Sequence, residues 1–165
     1  MDLVNNTTKQ AYVQLLIDVL IKKSVVLNRL MDITKQQEKL AASVSFDEEQ
    51  FLQTISLKDE LIQNLLELDN GFEQLYGSVK EELNGNKEKY VTEISLLKEQ
   101  ISYITDLNVT LQALEKRNKS KLDIIFSQKR RDIKNARISS KTASNYYKTS
   151  ANQHEAQSFF YDKKN

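Results

Sequence analysis

Apolar residues recur along this chain in alternating steps of three and four, over three long stretches. From Tyr90 the steps pass through Ile94, Leu97, Ile101, Ile104, Asn108 and Leu111, with Glu93, Lys98, Glu99, Gln100 and Asp106 between them. Such spacing puts the apolar side chains on one stripe of a helix. The stripe drifts onward through Leu107, Leu114, Leu122 and Ile125. A helix from Tyr90 to Phe126 is roughly 55 Å long at 1.5 Å per residue. Alone it cannot bury that stripe, so it needs partner helices.

Two earlier stretches supply them. The first shows Tyr12, Leu16, Val19, Val26, Leu30 and Ile33, with a gap at Lys23 and a second flank of Val13, Leu20 and Leu27. A stripe that wide suits a helix touching two neighbours. Thr7 with Gln10 reads as a capping box that starts this helix near Thr8 and leaves residues 1–6 frayed. The second stretch carries Ile55, Leu61, Ile62, Leu65, Leu68, Phe72, Leu75, Val79 and Leu83. Asp47 with Gln50 marks its start, and Phe46 is placed to act as a hydrophobic staple. The expected helices therefore cover 8–43, 46–83 and 87–126, with the third able to continue to about Ile138. Asn84-Gly85-Asn86 is the clearest turn signal between the last two.

Two positions stay open on pattern alone. Gly71, inside the second helix, costs about 1 kcal/mol relative to Ala and is either a close-packing point or a weak spot. Asn108 is either a register-setting polar residue on the buried stripe or a position rotated out to water.

Composition agrees with long amphipathic helices. Of the 165 residues 39% are hydrophobic and 28% charged, Pro is absent and Gly occurs three times. No alternating run of β-branched and aromatic residues marks a strand. The fold class is all-α: an elongated antiparallel three-helix bundle or coiled coil with a partly disordered basic C-terminal tail.

Charge divides the chain. Residues 1–126 carry 15 Lys/Arg against 20 Asp/Glu, a balance of −5, whereas residues 127–165 carry 9 against 3, or +6. The expected organisation is a helical body over 1–126, then a basic extension and interaction tail over 127–165.

Chemistry is sparse. Without cysteine there is no disulfide framework and no thiolate metal site. The single histidine, His154, has no nucleophile beside it and reads as a solvated tail residue. Gly71, Gly77 and Gly85 form no phosphate-cradling loop. The expectation is a non-enzyme that takes no cofactor or metal. Ala11–Ile21, the most apolar stretch, is broken by Gln14 and Asp18 and is too short to cross a bilayer. No leader is visible, so a cytoplasmic location without stable membrane insertion is expected. The match Asn108-Val109-Thr110 to a glycosylation acceptor is then coincidental.

The C-terminal third, on and after the third helix, holds the interaction candidates. Leu122, Ile125 and Phe126 form a last apolar cluster, followed by Lys129-Arg130-Arg131, Ile133, Lys134 and Arg137. The first two helices each span fewer residues than a third helix extended to Ile138, so this cluster is expected to lie beyond their reach. An exposed apolar cluster of that kind marks an interaction site, and Leu122, Ile125, Phe126 and Ile133 are the candidates for binding a protein substrate. Ser139–Gln153 is too polar to repay its ordering entropy alone. Aromatic islands interrupt the tail: Tyr146, Tyr147, Phe159, Phe160 and Tyr161 are candidates for partner docking.

Helix order, the hydrophobic stretch around Leu57-Lys58-Asp59-Glu60-Leu61-Ile62, and the ending Tyr146-Tyr147 … Phe159-Phe160-Tyr161-Asp162-Lys163-Lys164 resemble the FlgN family of flagellar export chaperones. The resemblance covers roughly residues 10–165. It implies a chaperone that binds the C-terminal segments of hook–filament junction proteins, prevents their premature assembly, and delivers them to the export gate. One of the tail tyrosines would then engage that gate. Two other classes compete: a structural coiled-coil module that pairs with itself, as a homodimer for example, and a nucleic-acid binder using the basic stretch. The acidic body and the lack of a recognition motif argue against nucleic acid.

Overall fold

The computed structural model describes residues 2–128 and 141–148, and the regular structure among them is entirely helical. Three long helices follow one another: α1 is Asp2–Ala42, α2 is Glu48–Gly85 and α3 is Val91–Gln128. A short helix, α4, covers residues 141–148. The all-α bundle read from the periodicity is what the chain forms. The proposed extension of α3 to Ile138 lies outside the described residues.

The second helix starts as its residues dictate. The backbone N–H of Gln50 donates to Asp47 Oδ1 at 3.0 Å, the N-cap bond that satisfies one of the four orphan donors of a first turn. Phe46, just outside the cap, meets Phe51 with ring centroids 5.4 Å apart. That is the staple geometry, linking the residue before the cap to the fourth helical one.

The start of α1 departs from expectation. It begins at Asp2 rather than near Thr8. The Thr7 and Thr8 hydroxyls donate backward to the carbonyls of Leu3 and Val4, at 2.8 and 3.0 Å. A Thr that bonds the carbonyl four residues earlier is an interior residue, not a cap. The turn after α2 is also displaced. The helix runs through Gly85, and the chain turns over residues 86–90, where Lys89 N–H donates to the Asn86 carbonyl at 3.0 Å.

The described residues fall into two compact units, each built from part of every long helix. The first holds residues 2–25 and 65–106; the second holds 26–64, 107–128 and 141–148. Within both, α2 runs antiparallel to α1 and α3. In the first, Lys23 pairs with Asp69, and Glu82 with Lys9 and Tyr90. In the second, Gln37 meets Thr54 and Lys58, and Lys58 meets Glu115.

Burial follows coiled-coil spacing. In the first unit Leu65, Asp69, Phe72, Tyr76, Val79 and Leu83 of α2 are buried, in steps of four and three. Buried in the same unit are Leu97, Ile101 and Ile104 of α3 and a wide stripe of α1 that includes Val13, Leu16, Ile17 and Leu20. The breadth of that stripe fits the two neighbours expected for α1. Its centre, however, lies on the flank of Val13, Leu20 and Leu27, all buried, while Tyr12 is exposed. Gly71 is no close-packing point, since a Cβ there would meet nothing within 4 Å. Asn108 is buried, on the stripe.

Candidate functional site

Polar residues occupy seam positions in both units, and there the pattern of apolar residues breaks. Lys23, the gap in the first stripe, is buried, with its Nζ 2.6 Å from Asp69 Oδ1. The approach is an ion-pair contact outside hydrogen-bond alignment. Pairing is the condition on which a lysine is tolerated inside a helical seam.

The second unit carries a larger arrangement. Lys58 sits three residues after Ile55 and four before Ile62, so helical geometry aims it at the seam. Its Nζ donates to Gln37 Oε1 of α1 at 3.0 Å and, in a short contact, to Glu115 Oε1 of α3. Gln37 Nε2 donates to Thr54 Oγ1 at 3.0 Å, and Thr54 donates to the Phe51 carbonyl. Asn118 Nδ2 donates to the Thr34 carbonyl at 2.9 Å. The Thr34 hydroxyl stands 2.6 Å from the Leu30 carbonyl and 3.4 Å from Glu115 Oε1. With one proton it serves one of them at a time. All six side chains are buried. The result is a polar layer that spans three helices, with the positive charge of Lys58 matched by Glu115.

The short helix α4 belongs to the same unit. Ala143, Tyr146 and Tyr147 are buried, Tyr147 completely. Tyr146 and Tyr147 meet edge to face, centroids 5.9 Å apart. Burial chiefly, and the Glu115 carboxylate secondarily, push the Tyr147 phenol well above its usual pKa. Among the described residues the Tyr147 hydroxyl and Asn118 Oδ1 are buried without a hydrogen-bond partner. An unsatisfied buried group of this kind costs about 1–3 kcal/mol.

The residues singled out from the sequence are therefore distributed differently than expected. Leu122 and Phe126 are buried against Phe51 and Ile55, with Leu40, Ala41, Phe46 and Ile125 packed around them. Phe126 meets Phe51 at 5.7 Å and Phe46 at 6.3 Å between centroids. The expectation that this cluster lies beyond the reach of the first two helices is corrected, because α1 and α2 meet it at their adjoining ends. Leu122, Ile125 and Phe126 close the end of the second unit. Tyr146 and Tyr147 are buried rather than free in a tail. Ile133, Phe159, Phe160 and Tyr161 lie outside the described residues, as does His154.

Sequence reasoning missed Lys58, Glu115, Gln37 and Thr54 as a group. The usable signal was a polar residue at each seam position, 37 on α1, 58 on α2 and 115 on α3, at matching heights in an antiparallel register.

Compared with protein-family models, curated proteins and solved structures, the chain matches none. Its chemistry is therefore read from its own residues. Among the described residues no group of three or more His, Asp or Glu could hold a metal ion, and no helix is long and apolar enough to cross a membrane. What the second unit displays is the polar layer and a short helix, α4, buried along one face.

Proposed function

We propose that this chain is a non-enzymatic, cytoplasmic chaperone of flagellar type III export, which holds C-terminal helical segments of hook–filament junction proteins. On this reading it keeps those subunits from assembling early and hands them to the export gate. The observation that carries the reading is α4: a three-helix unit has seated a fourth, short helix by Ala143, Tyr146 and Tyr147. Holding an amphipathic helix against an apolar face is one of the recurring modes of peptide recognition. The resemblance to FlgN-like chaperones supplies the identity of the partner, and the aromatic ending Phe159-Phe160-Tyr161 supplies a second docking element for the gate.

Size-exclusion chromatography with light scattering, with and without a purified junction subunit, tests the proposal. A complex of defined stoichiometry is the expected result, and two independent peaks at micromolar concentrations would overturn it. The spacing of buried positions in α2 also favours a second reading, a structural coiled-coil module. That reading predicts self-association of the chain and indifference to the junction subunit.

A further inference from the structure

Some apolar residues that keep the helical spacing are left out of the core. In the first unit burial centres on Val13, Leu16 and Leu20 of α1 and on Leu65, Phe72 and Val79 of α2. Tyr12 and Leu15 remain exposed, at 37% and 44%, and Val19, Leu68 and Leu75 are only half-buried. These five share one side of the unit. Tyr12, Leu15 and Val19 precede Lys23 at helical spacings and so stand on its flank of α1, and Lys23 reaches α2 through Asp69. Leu68 and Leu75 precede Glu82 in steps of seven and share its flank of α2, and Glu82 reaches α1 through Lys9. The five therefore line the outer groove between α1 and α2. The two ion pairs also set heights along that groove. They bring Leu15 level with the turn of α2 that carries Leu75, and Lys22 to within a turn of Glu67. Lys22 and Glu67 are both exposed.

We infer that this groove is a self-association face, and that its occupant is the same groove of a second copy of this chain. A twofold axis parallel to the helices lays α1 of each copy against α2 of the other, again antiparallel and at the height they hold within one chain. The product is a four-helix arrangement in which every neighbouring pair is antiparallel. Charge selects that occupant. In this unit α1, over residues 2–25, carries three lysines against two aspartates, or +1, and α2, over 65–85, carries one lysine against five acidic residues, or −4. A face that is basic along one helix and acidic along the next is complementary to itself under that rotation. Lys22 of each copy falls opposite Glu67 of the partner subunit, beside an apolar centre of Leu15 and Leu75, and the exposed patch is covered. The inference goes beyond the chaperone reading and does not depend on it.

The test uses the full chain and charge variants at two exposed positions, where folding is not at stake. Sedimentation equilibrium of the wild-type chain at tens of micromolar should show a concentration-dependent dimer. Lys22→Glu and Glu67→Lys each create two like-charge contacts in a symmetric dimer, so each should raise the dissociation constant about tenfold or more. An equimolar mixture of the two variants restores opposite charges at both contacts. It should form a heterodimer whose dissociation constant lies within about threefold of the wild-type value. Only a partner made of this chain, in this orientation, gives that rescue. A wild-type chain that stays monomeric at those concentrations overturns the inference. Single variants that dimerise as the wild type does overturn it too, as does a mixture without rescue. A dimer that forms no junction-subunit complex leaves the inference and removes the chaperone role; a monomer that binds the junction subunit does the reverse. If the charge variants weaken the junction-subunit complex and leave self-association unchanged, the groove takes that subunit and the inference fails.

Discussion

The two units face the same difficulty, a charged lysine on a helical seam, and resolve it differently. In the first, Lys23 is answered by Asp69 on one neighbouring helix. In the second, Lys58 is answered by Glu115 on one neighbour and Gln37 on the other, and the bonds continue to Thr54. A two-residue pair pins one helix contact. A layer that bonds across three helices fixes how all three stand against one another, because sliding any of them strands a buried polar group. The unit with the layer is also the one that has seated α4.

Breaking the layer gives the largest effect. Lys58→Met leaves Glu115 buried and unanswered, and about 3–5 kcal/mol of stability should be lost. Replacing both, as Lys58→Met/Glu115→Leu, should recover most of that loss, since apolar replacement of a buried pair is often neutral or stabilising. The same pair of experiments at Lys23 and Asp69 gives the comparison. Urea titrations of the single and double variants measure both cycles. Equal coupling energies in the two units would mean that the extra bonds through Gln37 and Thr54 add nothing.

Core truncations come next. Leu97, in the first unit, is fully buried, and Leu122, in the second, nearly so. Each Leu→Ala change should cost about 2–5 kcal/mol. A loss under about half a kcal/mol at Leu122, the range of an ordinary surface change, would restore it as a surface residue free for partners.

These contrasts show what could be read from the sequence. Apolar periodicity is local, so three helices, their antiparallel connections and the broad stripe of α1 were legible. So were the Asp47 cap and the Phe46 staple, which depend on neighbours within five residues. The polar layer was not, because Lys23 and Lys58 look like interruptions until a partner on another helix is in place. The same reason hid α4. Ser139–Gln153 is polar on average, and averaging conceals Ala143, Tyr146 and Tyr147 at the three- and four-residue spacing of a single helical face. The apolar cluster at Leu122 and Phe126 was misplaced because helix lengths alone were compared, and register decides which ends meet.

Alkaline pH separates the units more gently. Tyr147 in the second unit and Tyr90 in the first both have phenols pushed above the usual value. For Tyr147 burial dominates, with Glu115 adding; for Tyr90 burial again leads, followed by Glu82, to which its hydroxyl donates at 3.2 Å. A raised folded-state pKa means stability that is fully present below the unfolded value of about 10 and is lost as pH climbs above it. Thermal midpoints should therefore fall between about pH 9.5 and 11. Tyr147→Phe should flatten more of that fall than Tyr90→Phe, because Tyr147 is the more strongly shifted. The reverse order would place the alkaline weakness in the first unit.

The smallest effect concerns the first unit's own weak place. Gly71 and Gly77 both lie in the half of α2 that belongs to it, whereas the half in the second unit contains no glycine. A helix-interior glycine gives up backbone entropy that alanine does not, about 1 kcal/mol each. The usual reason for keeping one, close approach of a neighbour, does not apply, since an added Cβ meets nothing within 4 Å at either position. Gly71→Ala and Gly77→Ala should each raise stability by up to about 1 kcal/mol and, being well separated on the helix, act additively. Hydrogen exchange should slow along residues 65–85 while residues 48–64 change little. A stabilisation spread evenly over α2 would mean that the two halves of this helix open together, and that the division between the units does not extend to their unfolding.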